Sequence, residues 1–257
     1  MTTAPPKQPS EHVRLDRTAP GLAELVLDRP DKRNALTPAM LADLARLARA
    51  AAEDDETGAL LLRGEGRSFC AGFDLTICRD DPAVLSELLR GLDAAIAALR
   101  SVRTPVVVAA QGAALAGGCA LLAAADLVVS HETCRIGYPV VRIGVSPAVS
   151  APTLVPRVGP GAARARLLDP GLTDGARAQR MGLVTHLVES AEDVTPRAQI
   201  VALELSRKPR RAVRTTREWL REVEDGVGDA GAGGLETSRG LVGSEEQRAL
   251  LTRALER

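Results

Sequence analysis

Two hydrophobic patterns alternate along the chain. Continuous apolar runs at 59–62 (Ala-Leu-Leu-Leu) and 105–110 (Pro-Val-Val-Val-Ala-Ala) have the pattern of parallel strands buried on both faces. Leu22 to Leu27 forms a shorter strand pattern, stopped by a turn cluster at 29–34 that carries Arg29, Lys32 and Arg33. Between the strands the period changes to that of a helix. Thr37 caps a helix with Pro38 at its first position and Leu41, Leu44, Ala48 and Ala51 on its apolar stripe. Asp81-Pro82 opens a second, with Leu85, Leu88, Leu92, Ile96 and Leu99 on one face.

Residues 126–130 are strand-like and 134–139 extended. Ser146 before Pro147 reads as a helix cap, and Pro152 and Pro156 follow. Thr173 or Asp174 then caps a helix over 175–181, Gly182 closes it, and a strand spans 183–188. From about 193 the chain reads as helices only, broken near Pro209 and over 226–234, with Ser244 and Gln247 forming a capping box for the last one. The predicted organisation is a loose arm at 1–10, a strand-loop-helix core at 11–192, and a helical trimerisation or lid segment at 193–257.

Composition removes several classes of function. The 257 residues carry 33 Lys+Arg against 33 Asp+Glu, so no net field draws a polyanion or an anionic bilayer. One Trp, one Tyr and two Phe leave almost nothing on which to stack bases. With 45% hydrophobic and 26% charged residues the chain is expected to fold rather than stay disordered. Four cysteines without a CxxC pair, and three histidines of which only His131 lies near one (Cys134), do not have zinc spacing, so no metal and no cofactor are expected. No apolar stretch has the length of a membrane helix or the form of a signal peptide; a cytoplasmic location with reduced thiols is the expectation.

The candidate chemistry lies in two glycine-bearing loops, each after a buried strand. The first runs Gly64 to Leu75 and contains Ala71-Gly72. The second runs Gln111 to Leu121 and contains Ala116-Gly117-Gly118. A strand that turns through glycine into a helix leaves unpaired N–H groups at the positive end of the helix dipole. Two such loops can aim two donors at one oxygen, the arrangement that stabilises a carbonyl gaining charge. Plain helix capping with close packing is the other reading. Neither phosphate-cradle motif, GxxxxGK[ST] or GxGxxG, is present.

The blocks Leu27-Asp28-Arg29-Pro30-Asp31-Lys32-Arg33-Asn34-Ala35-Leu36, Phe69-Cys70-Ala71-Gly72-Phe73-Asp74-Leu75 and Ala116-Gly117-Gly118-Cys119, followed by Ala125-Asp126, resemble the crotonase or enoyl-CoA hydratase/isomerase superfamily in order and separation. The resemblance covers about residues 12 to 255. It implies an α/β fold, a crotonase-like spiral of ββα repeats with a helical C-terminal segment, assembled as a homotrimer or hexamer. It also implies a coenzyme A thioester as substrate. By position, Ala71 and Gly117 supply the two oxyanion-hole N–H groups, and Lys32 and Arg33 lie near the nucleotide. Ala35, Gly72, Asp74 and Gly118 complete the acyl-CoA contacts, although Asp74 also fits a helix N-cap.

The chain departs from that family where acid-base catalysis is expected. The two hydratase glutamates fall on Ala120 and Val140, and the isomerase glutamate on Ala148; no Asp or Glu occurs from 133 to 168. General acid-base groups contribute about 10²- to 10⁴-fold each, so standard hydratase activity should be much reduced. Tyr138, Arg142, Ser146 and Ser150 are the polar residues of the segment that faces the acyl group, Tyr138 being a candidate catalytic residue. Cys119 reads as either a nucleophile at a helix start or a buried small hydrophobe. His131 and His186 read as surface or edge residues, which leaves no Ser-His-Asp set for a peptidase. The last helix lacks the aromatics that the family often uses for adenine. Two functions follow from the sequence: an acyl-CoA-processing enzyme with a non-standard acid or base, or a catalytically reduced acyl-CoA-binding accessory protein.

Overall fold

The computed structural model describes residues 11–78, 81, 83–226, 245 and 249. The chain begins with an antiparallel hairpin of β1 (Val13–Ala19) and β2 (Leu22–Leu27). It continues through α1 (Pro38–Glu53), β3 (Ala59–Gly64), α2 (Ala83–Ser101), β4 (Val106–Ala110), β5 (Ala113–Leu115), α3 (Gly117–Ala123), β6 (Leu127–His131) and β7 (Arg135–Gly137). Then come α4 (Ala151–Val158), α5 (Pro160–Leu168), α6 (Gly175–Arg180), β8 (His186–Val188), α7 (Val194–Ser206) and α8 (Arg210–Glu224).

The main sheet has the order β1-β2-β3-β4-β6-β8, and every pair after β1/β2 is parallel. A second, smaller layer is stitched from short pieces: the parallel pair β5/β7 and the bridges Leu36–Phe73, Cys70–Ala114 and Ile136–Thr173. Each turn thus gives one strand to the main sheet, one short extended piece to the second layer, and in most turns a helix, the α/β spiral expected from the sequence.

Burial explains the two hydrophobic patterns. Leu60, Leu62, Val106, Val108 and Val128 join α1, α2 and α3 in one core, while Leu61, Val107, Ala109 and Val129 face Val194, Ala198, Val201 and Ala202 of α7. Strands covered on both sides need apolar residues at every position. The residues of α7, which the sequence reading assigned to the trimerisation or lid segment, therefore close the second face of the sheet. The last predicted helix, 245–257, lies almost entirely outside the described residues.

The proline-bearing stretch is helical, with Ser150 rather than the expected Ser146 at the N-cap position of α4. Pro152 occupies the first turn of α4, where its missing N–H has no intrahelical partner to lose, and Pro156 deprives this eight-residue helix of one bond only. Among smaller differences, β1 was absent from the sequence reading, and the strand expected over 183–188 is reduced to His186–Val188.

Candidate active site

The two glycine loops meet above the C-terminal ends of β3 and β4. Cys70 N–H donates to the Ala113 carbonyl at 3.0 Å and Leu115 N–H to the Cys70 carbonyl at 2.9 Å, so the loops are hydrogen-bonded to each other. Close approach depends on two glycines. Gly72 sits at φ +94°, and a Cβ there would stand 3.1 Å from Ala116 Cβ; one on Gly118 would stand 2.6 Å from the Cys70 carbonyl oxygen. Ala116, between β5 and α3, adopts φ +50° and ψ −112°, a strained conformation for a residue with a Cβ.

The backbone bonding determines which amides remain available. Ala71, expected to supply one donor, has its N–H committed to the Arg33 carbonyl at 3.0 Å. Leu36 donates to the Gly72 carbonyl at 2.8 Å and accepts from Asp74 N–H at 2.9 Å. In a parallel bridge the residue between those two groups, here Phe73, turns its own N–H to the opposite side. Gly117 is the first residue of α3, so its N–H has no intrahelical acceptor. Among the described residues nothing accepts from Phe73 or Gly117 N–H, and both residues line one pocket. Sequence reasoning missed Phe73; the signal was the glycine before it, which at positive φ reverses the amide direction.

The pocket is small, about 20 Å³, close to the room needed by one water-sized group. Its wall is Phe73, Leu89, Leu92, Val140, Val145 and Val149, with Tyr138, Ser146 and Ser150 as the polar side chains. No carboxylate, imidazole or cation lines it among the described residues. Ala120 is fully buried in the core, Val140 lines the pocket, and Arg142 is exposed outside it.

Tyr138 is 1% exposed, and its hydroxyl is buried with no hydrogen-bond partner. Burial and the neighbouring Cys119 thiol push the phenol well above its usual value, against a smaller opposing effect of the nearby Ser150 hydroxyl. The Cys119 thiol is itself pushed up to about 12 by burial, which keeps it protonated and supports the small-hydrophobe reading over the nucleophile. His131 is not at the surface: it is buried at the end of β6, its Nε2 accepting Gly112 N–H at 2.9 Å and its Nδ1 3.2 Å from the Thr133 hydroxyl. Burial holds it below the usual imidazole value despite Glu192, so it supports the second loop as a neutral ring. His186 lies half-buried in the edge strand β8.

The basic turn is attached to the first loop by buried polar groups. Asn34, fully buried in the left-handed region at φ +55°, accepts from Arg29 N–H at 2.8 Å. Its Nδ2 reaches the carbonyls of Glu65, Ser68 and Phe69 at 2.9, 2.9 and 3.1 Å. Arg29 pairs with Asp74 at 2.7 Å and donates to the Ala35 carbonyl at 3.1 Å. Asp74 also accepts from the Thr76 hydroxyl at 2.5 Å and Thr76 N–H at 3.2 Å. It therefore caps the short helical turn Leu75–Cys78 and clamps the two loops. Lys32 and Arg33 project from this turn, exposed and with no carboxylate partner among the described residues. The structure thus brings Gly72, Gly117, Gly118 and Tyr138 to the pocket region, with Ala35 and Asp74 in the clamp beside it and Lys32 and Arg33 on the rim.

Two N–H groups without acceptors among the described residues, on residues that line one apolar pocket and one of them at a helix N-terminus, are an arrangement chemically able to hold a carbonyl oxygen that becomes negatively charged. Comparison with known proteins adds the family. Residues 17–239 match the enoyl-CoA hydratase/isomerase family, and the chain belongs to it. It is 30% identical over 204 residues to a crotonyl-CoA hydratase of Syntrophomonas wolfei, 78% of each chain. It is 32% identical over 208 residues, 80% of this chain and 82% of the other, to a hexahydro-indene-carboxyl-CoA hydrolase of Mycobacterium tuberculosis. The solved enoyl-CoA hydratase of Mycobacterium smegmatis superposes with a TM-score of 0.86 at 26% identity, covering 96% of this chain and 98% of that one.

Proposed function

We propose that the chain is an acyl-CoA-processing enzyme that holds a thioester carbonyl oxygen between the N–H groups of Phe73 and Gly117 while that oxygen gains enolate or tetrahedral charge. The reading is supported by one observation: nothing among the described residues accepts from those two N–H groups, and both residues line one apolar pocket. Lys32 and Arg33, on the rim without a carboxylate partner among the described residues, meet the coenzyme A phosphates, while the Arg29–Asp74 and Asn34 contacts hold that rim against the reaction centre. Relatives of similar identity carry the names of a hydratase and a hydrolase, so membership leaves the reaction to be read from the pocket. With Ala120, Val140 and Ala148 where the hydratase glutamates and the isomerase glutamate belong, the acid-base step is not the usual one.

Calorimetry with butyryl-CoA, free coenzyme A and crotonyl-CoA tests this. Butyryl-CoA is expected to bind more tightly than coenzyme A, and crotonyl-CoA hydration to be at least 10²-fold below that of an enzyme with both glutamates, about 2.7 kcal/mol of barrier. No binding of any thioester would sink the reading. The absence of a carboxylate from the described pocket favours a second reading, an accessory acyl-CoA-binding protein, which tight binding without turnover of any thioester would establish. A homotrimer or hexamer in the cytoplasm belongs to the same proposal. Exposed Leu220 and Val223 on α8 offer an apolar face for such assembly, and light scattering on the purified protein tests it.

A further inference from the structure

Building on the thioester reading above, we propose that the reaction is loss of CO2 from a malonyl-type coenzyme A thioester, with a carboxylate on the α-carbon. An enolate forms at a thioester in one of two ways. A base removes an α-proton, or a carbon–carbon bond at the α-carbon breaks and leaves its electron pair behind. The described pocket has nothing for the first route: its polar side chains are Tyr138, Ser146 and Ser150. Asp74, next in sequence to Phe73, does not line the pocket and is committed to Arg29 and Thr76. His131 lies outside it with both ring nitrogens occupied. The second route needs no base, because the substrate supplies the electrons.

Two further features fit a carboxylate as the leaving group. No cation lines the pocket among the described residues, so a carboxylate there sheds water without gaining a counter-ion. Its charged ground state is then disfavoured relative to a transition state whose charge has moved onto the oxygen held by two amides. The Tyr138 hydroxyl is buried, unpartnered and part of this wall, a single donor able to orient one carboxylate oxygen without neutralising it.

The step balances. The bond from the α-carbon to the carboxylate carbon breaks, its pair becomes the enolate double bond, and the carbonyl pair moves to the oxygen on Phe73 and Gly117 N–H. CO2 departs, the α-carbon takes a proton from water, and the resulting hydroxide combines with CO2 as bicarbonate. Malonyl-CoA plus water thus gives acetyl-CoA plus bicarbonate.

The test uses the full chain in deuterated buffer with malonyl-CoA, methylmalonyl-CoA, crotonyl-CoA and butyryl-CoA, read by mass spectrometry and bicarbonate release. The expected result is decarboxylation of a malonyl-type ester with one deuterium placed on the α-carbon, and no exchange of the butyryl α-hydrogens. Tyr138→Phe is expected to slow that turnover about tenfold, while Gly161→Ala in α5 leaves it unchanged. Exchange of butyryl α-hydrogens or hydration of crotonyl-CoA, with the malonyl esters intact, overturns decarboxylation and leaves the thioester site standing. Butyryl-CoA that binds with no ester turned over also overturns it, in favour of the accessory protein. Failure of butyryl-CoA to bind at all overturns the thioester reading itself.

Discussion

At Gly118 the start of α3 lies against the first loop, and that contact bears on how far apart the two amides lie. An added Cβ would stand 2.6 Å from the Cys70 carbonyl oxygen and 2.8 Å from Cys70 Cβ. A carbon and a carbonyl oxygen rest about 3.3–3.6 Å apart, so Gly118→Ala requires the start of α3 and the loop at 70–73 to separate by roughly 0.7–1.0 Å. The obstacle is backbone, and it cannot swing aside as the end of a long side chain would. Gly117 moves with α3 and Phe73 with the loop, so the separation widens the gap between their N–H groups. Misplacement of about 1 Å costs on the order of 10²-fold in rate, and loss of a whole oxyanion donor about 10²- to 10³-fold, which bounds the effect. We therefore expect kcat/KM on the thioester that the protein turns over to fall about 10²-fold, about 2.7 kcal/mol of barrier. Overpacking should also cost about 1–3 kcal/mol of stability. Gly161→Ala in α5 is the control: a Cβ there meets nothing within 4 Å, so it should keep full activity and gain up to about 1 kcal/mol. The assay is steady-state kinetics beside urea denaturation of each variant. A folded Gly118→Ala protein with kcat/KM within about threefold of the native value would refute the reasoning.

Three more outcomes follow from the same geometry. Burial alone would raise the Asp74 carboxyl, but Thr76 and Arg29 outweigh it and hold it below the usual carboxylate range. Its folded value lies below its unfolded value, so its stabilisation is fully present above about pH 4 and disappears as pH falls through the folded value. Asp74→Asn should therefore cost about 2 kcal/mol at neutral pH, with the gap to the native protein closing as pH falls below about 4; a gap that does not change with pH in urea melts would contradict this. Ala116→Gly releases strain of about 1–3 kcal/mol against about 0.5–1 kcal/mol of added chain entropy, so it should stabilise by about 1 kcal/mol, and a lower melting temperature would count against the strain. Tyr138→Phe removes a buried hydroxyl without a partner and should keep or raise stability by about 1 kcal/mol, even where it slows turnover; a loss of 2 kcal/mol would mean that the hydroxyl has a partner.

Much of this molecule could be read from sequence because its strands are covered on both faces. Apolar runs such as 106–110 have no second meaning when helices such as α2 and α7 stand on either side of them. Thr37 was legible as a cap, and its side chain does accept Met40 N–H. Spacing could not reveal features set by contacts across the chain. Asn34 stands in a run of turn residues, yet its amide binds carbonyls at 65, 68 and 69. His131 stands in a polar sequence, yet the approach of Gly112 places it inside. The amide of the first loop is the most instructive case. A loop reading Cys-Ala-Gly-Phe offers three successive N–H groups to one oxygen, and choosing among them requires knowing which strand the loop pairs with. Pairing with Leu36 takes the Gly72 carbonyl and the Asp74 N–H, and the Arg33 carbonyl takes Ala71 N–H. The parallel bridge with Leu36 turns Phe73 N–H to the other side, and Phe73, unlike Gly72, lines the pocket. The donor is therefore assigned by residues 33–36, far away in sequence, and altering that basic turn should disturb the chemistry even where no side chain of the turn reaches the pocket.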